Sequence, residues 1–296
     1  MTDAAAVRRV YAKMLLATVF WGATFMVGRF AAQNLSPVTI GWYRYTVATL
    51  VLCWLTVRAE GRMPRLDRRQ FWWTAALGLI GVTIYNLLFF GALERIAASR
   101  SALLVTLNPI VTAIVVALFF GERMRPIRWF GIALAFVGTV VVITRGDFSG
   151  SISDALGVGE MMSIGSTLCW VVYTLIARYA IRGLTPLAAT AYASLWGWVG
   201  LTPLFLAYGT PFEAATFTPL LVGAVLYLAV LSTALPLVWY FEGLLVIGPA
   251  RTAVFSNVVP IFGAGLGVAL LGEPLLASMI IGGLITFVGV MLANRQ

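Results

Sequence analysis

Neutral polar and aromatic side chains recur at helical spacing within several otherwise apolar stretches of this sequence. The clearest set forms one helical stripe: Ser163, Ser166, Thr167, Trp170, Tyr173 and Thr174. Polar groups that face lipid are costly, so such residues should face a protein interior or water. We therefore predict a binding surface for a small solute. Its candidate residues are Trp21, Tyr85, Asn86, Asn108, Ser166, Trp170, Tyr173, Trp239, Ser256 and Asn257.

The same pattern has a second interpretation that the sequence leaves open. Serine, threonine and glycine at helical spacing also allow membrane helices to approach closely and to hydrogen-bond with one another. The Gly263 and Gly267 pair favours packing, whereas the stripe on the sixth helix favours a cavity wall. By this placement, helices one, three, four, six, eight and nine are expected to line the cavity.

The missing side chains limit the chemistry that the chain can perform. There is no histidine, and Cys53 and Cys169 lie in apolar stretches, where they are expected to be small core residues. No carboxylate falls at the middle of a predicted span, so no nucleophile with its base, and no metal site, can be assembled. We expect no enzymatic activity, no metal and no cofactor, and a cavity suited to neutral or zwitterionic solutes.

Arg44 is the one cation predicted to lie well inside a span, with its Cα about 10 Å from the span's outer end at 1.5 Å per residue. It could hold a substrate carboxylate, or its side chain could extend to the membrane interface. The sequence favours the second, structural role. Glu122 and Glu273 close two matched turns and are expected to be cap or interface residues.

The elements that must position these residues are membrane-spanning helices. The chain is 61% hydrophobic and 10% charged, and its charges separate uncharged stretches long enough to cross a bilayer. We predict an all-α polytopic membrane protein of ten helices. The spans are 11–31, 37–58, 70–92, 97–120, 127–144, 157–179, 186–208, 217–241, 249–271 and 275–293.

The second half of the sequence repeats the first. A shift of 151 residues places Pro109 on Pro260, Gly121-Glu122 on Gly272-Glu273, and Gly131 on Gly282. Five helices per copy, an odd number, give the two copies opposite orientations across the membrane. The repeats are predicted at 1–147 and 155–296. Basic residues concentrate on the side that carries the N-terminus, which predicts that both termini are cytoplasmic.

These motifs resemble those of the EamA repeat of the drug/metabolite transporter superfamily, in its ten-helix branch. The resemblance rests on Phe20 to Phe25, Ser36-Pro37, Arg44-Tyr45, Ala98 to Ala102, Asn108-Pro109, Gly121-Glu122, Arg251 to Ala253, and Gly272 to Pro274. It implies a basket of ten helices around a central cavity, with alternating access. The second repeat departs from the pattern, because Tyr192 to Trp198 contains no counterpart of Arg44.

The inverted repeat and the stripes of neutral polar and aromatic residues favour a secondary transporter that exports or passes small neutral or zwitterionic solutes. Amino acids, including aromatic and hydrophobic ones, are the leading hypothesis for its substrate, which the resemblance alone does not imply. Export of drugs, purines or other metabolites on the same scaffold is the alternative, and a structural membrane subunit is an alternative of another class. The expected partners are a small-molecule substrate and the lipid of a bacterial-type cytoplasmic membrane. Nucleic acid is not expected despite the formal charge of +9, and the oligomeric state stays open.

Overall fold

The computed structural model describes residues 4–108, 110–112, 114–115, 125–147, 156–180, 183–211, 217–247, 255 and 258–293. These residues form ten helices and no strand, as predicted. Their bounds are α1 Ala4–Ala32, α2 Pro37–Glu60, α3 Arg68–Arg95, α4 Ala98–Leu104, α5 Pro126–Ile143, α6 Val158–Ala180, α7 Pro186–Tyr208, α8 Pro219–Val246, α9 Val259–Leu271 and α10 Ala277–Ala293.

Several of these helices are long and apolar enough to cross a membrane. By length and composition, five such spans are found among the described residues: Val7–Ala32, Arg68–Arg95, Pro126–Ile143, Val158–Ala177 and Pro219–Tyr240. Val259–Leu271 and Ala277–Ala293 are shorter apolar helices. The architecture is that of a multi-pass membrane protein.

Local sequence explains where the helices begin. Ser36, Thr185 and Thr218 each accept a backbone N–H three residues later, and each is followed by a proline at the first helical position. Side-chain acceptors satisfy N–H groups that a helix leaves unpaired, and proline has no N–H to satisfy there. Asp67 and Gln70 form a reciprocal capping box at the start of α3. These caps fix the connections that hold neighbouring helices antiparallel.

Helices α5 and α10, the fifth helices of the two repeats, pack closely against each other. A Cβ on Gly138 would lie 2.5 Å from the carbonyl oxygen of Gly282, and one on Gly131 would lie 2.4 Å from the backbone N of Ala293. Only glycine permits this approach. Because the earlier glycine of α5 meets the end of α10, the two helices are antiparallel. Equivalent helices that point in opposite directions make the two repeats inverted.

The third helix of each repeat is interrupted at mid-length by a π-helical segment. In α3 the segment is Leu79–Ile84, and in α8 it is Tyr227–Ala234. A π-helical turn adds a residue to the helical turn and frequently marks a functional site. The two segments occupy matching places in the two repeats, and residues in or beside each of them face the same cavity.

One hydrogen bond and one ion pair mark the two opposite ends of the bundle. At one end, the N–H of Thr210, beyond α7, donates to Oγ1 of Thr39 at the start of α2 (2.8 Å). At the opposite end, Lys13 of α1 pairs with Glu242 of α8 at 2.6 Å. We call these ends the Pro37 face and the Lys13 face. The largest hydrophobic cluster, which includes Phe25, Phe89, Phe90, Leu93 and Leu228, fills the bundle on the Pro37 side.

Glu273 ties the two repeats together at the Pro37 face. Its carboxylate accepts the backbone N–H of Ala98 (2.7 Å) and that of Ser99 (2.8 Å), at the start of α4. A carboxylate at this position caps the helix and complements its dipole. The predicted cap role is observed for Glu273, whereas Glu122 lies outside the described residues.

Candidate functional site

A cavity lies at mid-depth of the bundle, between the two repeats. The space it encloses, together with the part that is open to the outside, is about 770 Å³. The wall is built by α1, α2, α3, α6, α8, α9 and the segment after α4 that contains Val105 and Asn108. This segment belongs to the fourth predicted helix, 97–120, so α2 joins the six helices expected from the sequence. The lining residues are Trp21, Thr24, Phe25, Arg44, Tyr45, Gly81, Tyr85, Phe89, Val105, Asn108, Trp170, Ser232, Thr233, Leu237 and Val259.

Trp170 of α6 is the centre of the aromatic wall. Its ring lies 5.9 Å from that of Tyr85 and 6.4 Å from that of Trp21, between ring centroids. Tyr173 stacks on Trp170 at 5.5 Å. Aromatic rings at these separations stabilise one another and hold each other's orientation. The result is a rigid, apolar surface formed by residues from both repeats.

Tyr173 supports this wall from behind. Its side chain is buried and packs with Leu77 and Ala193, outside the cavity lining. The ring lies directly against the backbone of Gly81, where a Cβ would be 2.1 Å from Cδ2 of Tyr173. Gly81 belongs to the π-helical segment of α3 and itself lines the cavity. The absence of a side chain at Gly81 therefore determines where Tyr173, and with it Trp170, can lie.

Arg44 lies on the cavity wall, whereas the sequence favoured a side chain that extends to the membrane interface. Its side chain is 6% exposed and does not reach a membrane interface. Nε donates to Oγ1 of Thr233 (2.8 Å), Nη1 to Oδ1 of Asn86 (3.1 Å), and Nη2 to Oγ of Ser232 (3.3 Å). These three acceptors lie on α3 and α8, inside the bundle.

The partners of Arg44 are held so that their oxygens point at the guanidinium. Asn86 donates its amide to the carbonyl of Val82 (2.6 Å), which leaves Oδ1 for Arg44. Thr233 donates its hydroxyl to the carbonyl of Leu228, five residues earlier in the π-helical segment (2.8 Å). The π-helical turn of α8 therefore helps to orient the acceptor that Arg44 uses.

Asn108 lies on the same cavity, in the first residue after the 3-10 turn Val105–Leu107. Its side-chain oxygen Oδ1 is buried and has no hydrogen-bond partner among the described residues. Buried polar atoms are almost always paired, so an unpaired acceptor on a cavity wall is suited to a donor from a bound solute.

The sequence-predicted residues fall into distinct places. Trp21, Tyr85, Asn108 and Trp170 line the cavity, and Asn86 is fully buried behind it, bonded to Arg44. Ser166 donates to the carbonyl of Ser163 between packed helices, and Trp239 stacks on Phe20; neither lines the cavity. Ser256 and Asn257 lie outside the described residues, as do Pro109 and Thr252.

Among the lining residues that the sequence-based choice missed, three polar ones belong together. Arg44, Ser232 and Thr233 are hydrogen-bonded, and Oγ of Ser232 also lies 2.7 Å from Oγ1 of Thr24. The signal that could have found them is the isolated arginine within a span, since such a residue marks a functional site by default and needs named partners.

No group of three or more histidine, cysteine, aspartate or glutamate side chains with metal-binding geometry occurs in the described part of the chain. The one deeply buried ion pair in that part is Arg100 with Glu160, at 2.6 Å between α4 and α6. Arg100 also donates to the carbonyl of Ile143. This pair is not part of the cavity lining and joins helices instead.

The chain resembles known transporters along nearly its whole length. "Uncharacterized transporter YyaM" of Bacillus subtilis is 27% identical, over 96% of this chain and 93% of that protein. The "Probable terminal-alkyne amino-acid exporter" of Streptantibioticus cattleyicolor is 26% identical, over 96% and 92%. A crystal structure with 19% sequence identity superposes with a TM-score of 0.67, over 97% of this chain and 96% of that one, which shows a shared fold.

The family comparison agrees with the inverted repeats seen in the structure. Residues 9–144 and 157–295 each fall within a match to the EamA-like transporter family. The two matched segments contain the two five-helix repeats that enclose the cavity. The chain therefore belongs to the EamA-like transporter family, within the drug/metabolite transporter superfamily, and is a multi-pass membrane transporter.

Proposed function

We propose that this protein is a secondary transporter that carries small zwitterionic solutes, above all amino acids with aromatic or hydrophobic side chains. The observation that carries the proposal is the mid-depth cavity, which both repeats wall with aromatic rings and a few polar groups. The relative named as a probable amino-acid exporter supports the same substrate class.

Alternating access follows from the architecture as its working mechanism. Inverted repeats can exchange conformations, so that each face of the bundle opens in turn around a site at mid-depth. The cavity is separated from the Pro37 face by the hydrophobic cluster of Phe25, Phe89, Phe90 and Leu93. At the Lys13 face, α1 and the end of α8 are joined by the half-exposed pair of Lys13 and Glu242 and by the buried side chains of Val10, Met14 and Ile247.

Charge sets the proposed orientation in the membrane. The Lys13 face carries Arg58, Arg68 and Arg128, whereas the Pro37 face carries few basic residues. Cytoplasmic connections are enriched in arginine and lysine. We infer a cytoplasmic membrane protein with both termini in the cytoplasm. Activity of reporter fusions placed at the C-terminus and at residue 210 tests this orientation; a periplasmic C-terminus would overturn it.

Uptake by proteoliposomes tests the function itself. Purified protein is reconstituted with an unlabelled amino acid inside, and uptake of the labelled amino acid is measured by counterflow across a panel that also contains purines and hydrophobic drugs. The proposal predicts saturable uptake of at least one aromatic or branched amino acid. Absence of saturable exchange for every amino acid in the panel would overturn the amino-acid assignment, and uptake of purines alone would favour the alternative cargo.

Matched tryptophan variants connect that uptake to the cavity. Trp170→Ala removes the centre of the aromatic wall, and uptake should fall about tenfold or more because aromatic anchors contribute strongly to binding. Trp72→Ala is the control, since Trp72 is 64% exposed on the outside of the bundle. If both variants had the same effect, the uptake would not depend on this cavity.

A further inference from the structure

We propose that Arg44 is the carboxylate anchor of the cavity, so that cargo must present an anionic end to be held. This inference rests on the proposed transport of amino acids and narrows it. The guanidinium of Arg44 is buried on the cavity wall, next to half-buried aromatic rings. Its hydrogen-bond partners among the described residues are all neutral. The nearest competing role is a purely structural tie between the repeats, since Arg44 belongs to the first and Ser232 and Thr233 to the second.

The first argument is the absence of a counter-ion. Arg44 is only 6% exposed. No carboxylate of the described residues forms an ion pair with it. Its partners are the Thr233 and Ser232 hydroxyls and the Asn86 amide. Neutral dipoles reduce the cost of burying a cation but do not neutralise it. By contrast Arg100, buried to a similar extent, is paired with Glu160 at 2.6 Å.

The second argument is the number of donors that remain. An arginine has five N–H groups in a planar fork. Three donate to the side chains already named, through Nε, Nη1 and Nη2. One N–H on each terminal nitrogen has no acceptor among the residues that the structure describes, and a carboxylate is an acceptor suited to such a pair of donors.

The third argument is how the guanidinium is surrounded. Its Cζ lies 5.6 Å from the ring centroids of both Tyr45 and Phe90. Phe90 is fully buried, and both rings exclude water from the cation. Water exclusion strengthens the attraction between a bound anion and Arg44, because screening falls with the local dielectric. Among the described lining residues, Arg44 is the one charged side chain.

The fourth argument comes from the other polar atom on the wall. Oδ1 of Asn108 is buried and without a partner among the described residues, and it lines the same cavity as Arg44. A cation on one side and an unused acceptor on the other fit a solute with a carboxylate and an ammonium group. The half-buried rings of Trp21, Tyr85 and Trp170 remain for its side chain.

Ligand pairs that differ in the carboxylate test the anchor. Binding to purified protein is measured by thermal shift and by competition with uptake, using phenylalanine, phenylalaninamide and 3-phenylpropionate. Wild type should bind phenylalanine and 3-phenylpropionate better than the amide. Arg44→Gln should lower the affinity for phenylalanine and 3-phenylpropionate about 10- to 100-fold, which corresponds to one charge-assisted hydrogen bond. The affinity for phenylalaninamide should stay unchanged. Arg44→Lys should restore part of the affinity.

Two further variants separate charge from folding. Asn86→Asp keeps Arg44 and nearly the same shape but places an internal carboxylate where Oδ1 already accepts from Nη1 at 3.1 Å. It should weaken carboxylate binding even if Arg44→Gln fails to fold. Arg29→Gln is the control, because Arg29 is a half-buried arginine at the end of α1 that donates to the carbonyl of Leu93 and does not line the cavity.

The outcomes distinguish this inference from the proposed function. If wild type transports phenylalanine and neither Arg44→Gln nor Asn86→Asp changes its affinity, the anchor is overturned while amino-acid transport stands. If wild type binds 3-phenylpropionate through Arg44 but carries no amino acid, the anchor stands and the amino-acid assignment fails. If phenylalanine and its amide lose affinity equally in both variants, Arg44 acts only as a structural tie and the anchor is overturned. If wild type binds no carboxylate, both are overturned.

Discussion

The ring of Tyr173 lies against the backbone of Gly81 so closely that a Cβ at Gly81 would be 2.1 Å from Cδ2 of Tyr173. This contact joins α3 of the first repeat to α6 of the second, directly behind the cavity wall. Because Tyr173 stacks on Trp170 at 5.5 Å, the glycine indirectly positions the ring that lines the cavity.

Gly81→Ala should therefore disrupt transport more than it disrupts folding. The added methyl forces Tyr173 away and moves Trp170 into the cavity, and misplacement of a contact residue by about 1 Å can cost up to 100-fold in activity. Uptake in proteoliposomes and the apparent melting temperature in detergent measure the two effects. Gly223→Ala is the control, because no atom lies within 4 Å of a Cβ built there. Equal uptake by the two variants would contradict the role of Gly81.

Gly138→Leu should separate α5 from α10. Its Cβ would lie 2.5 Å from the carbonyl oxygen of Gly282 and from Oγ1 of Thr286, so the helices cannot keep their spacing. Overpacking of this kind costs about 1–3 kcal/mol or more, and the apparent melting temperature should fall by several degrees. The same substitution at Gly265, which is exposed and has open space around its Cβ, should change it little. A similar loss at both positions would refute the close pairing.

Removal of one partner of the buried Arg100–Glu160 pair should be strongly destabilising. Both side chains are under 10% exposed, and Glu160→Leu leaves a buried cation unpaired at a cost of about 3–5 kcal/mol. The double variant Arg100→Met with Glu160→Leu should lose less stability than Glu160→Leu alone, because no buried cation is left unpaired. Lys13→Met at the half-exposed pair with Glu242 should cost only about 0–1 kcal/mol. Additive losses in the double variant would show that the pair is not coupled.

Glu273→Ala should loosen the cap on α4 at the Pro37 face. It deprives the N–H groups of Ala98 and Ser99 of their acceptor, and the loss of a helix cap costs about 0.5–2 kcal/mol. Glu273→Gln keeps an acceptor, so its melting temperature should lie between those of the wild type and Glu273→Ala. Glu94→Ala is a suitable control, because Glu94 is exposed and pairs only with its neighbour Arg95 among the described residues. If Glu94→Ala melted at a lower temperature than Glu273→Ala, the capping role of Glu273 would be contradicted.

The fold was largely predictable because bilayer thickness and helix caps leave clear marks in the sequence. The predicted spans 37–58 and 186–208 begin at the observed first residues, Pro37 and Pro186, where a hydroxyl cap precedes the proline. α1 instead begins at Ala4, earlier than the predicted 11, since a helix can extend past the apolar stretch with its basic residues in water. The predicted repeat bounds, 1–147 and 155–296, remain a prediction.

The site was harder to predict because its key features depend on tertiary contacts. The π-helical segments of α3 and α8 have no residue signature, yet they place Gly81 and Thr233 on the cavity. Arg44 was equally compatible with an interface, and only its neighbours Asn86 and Ser232 show where it lies. Ser166 shares a helix face with Trp170 in the pattern, but in the structure it bonds within packed helices, and periodicity alone cannot separate the two.

Cargo-protected thiol labelling tests most directly whether this cavity is the transport site. A cysteine replaces the lining residue Leu237 in a protein that carries Cys53→Ala and Cys169→Ala. Membrane-impermeant maleimide is then applied to right-side-out and inside-out vesicles, with and without phenylalanine. The account predicts labelling from both sides of the membrane and protection by phenylalanine but not by its amide. Labelling from neither side, or labelling that phenylalanine leaves unchanged, would contradict it.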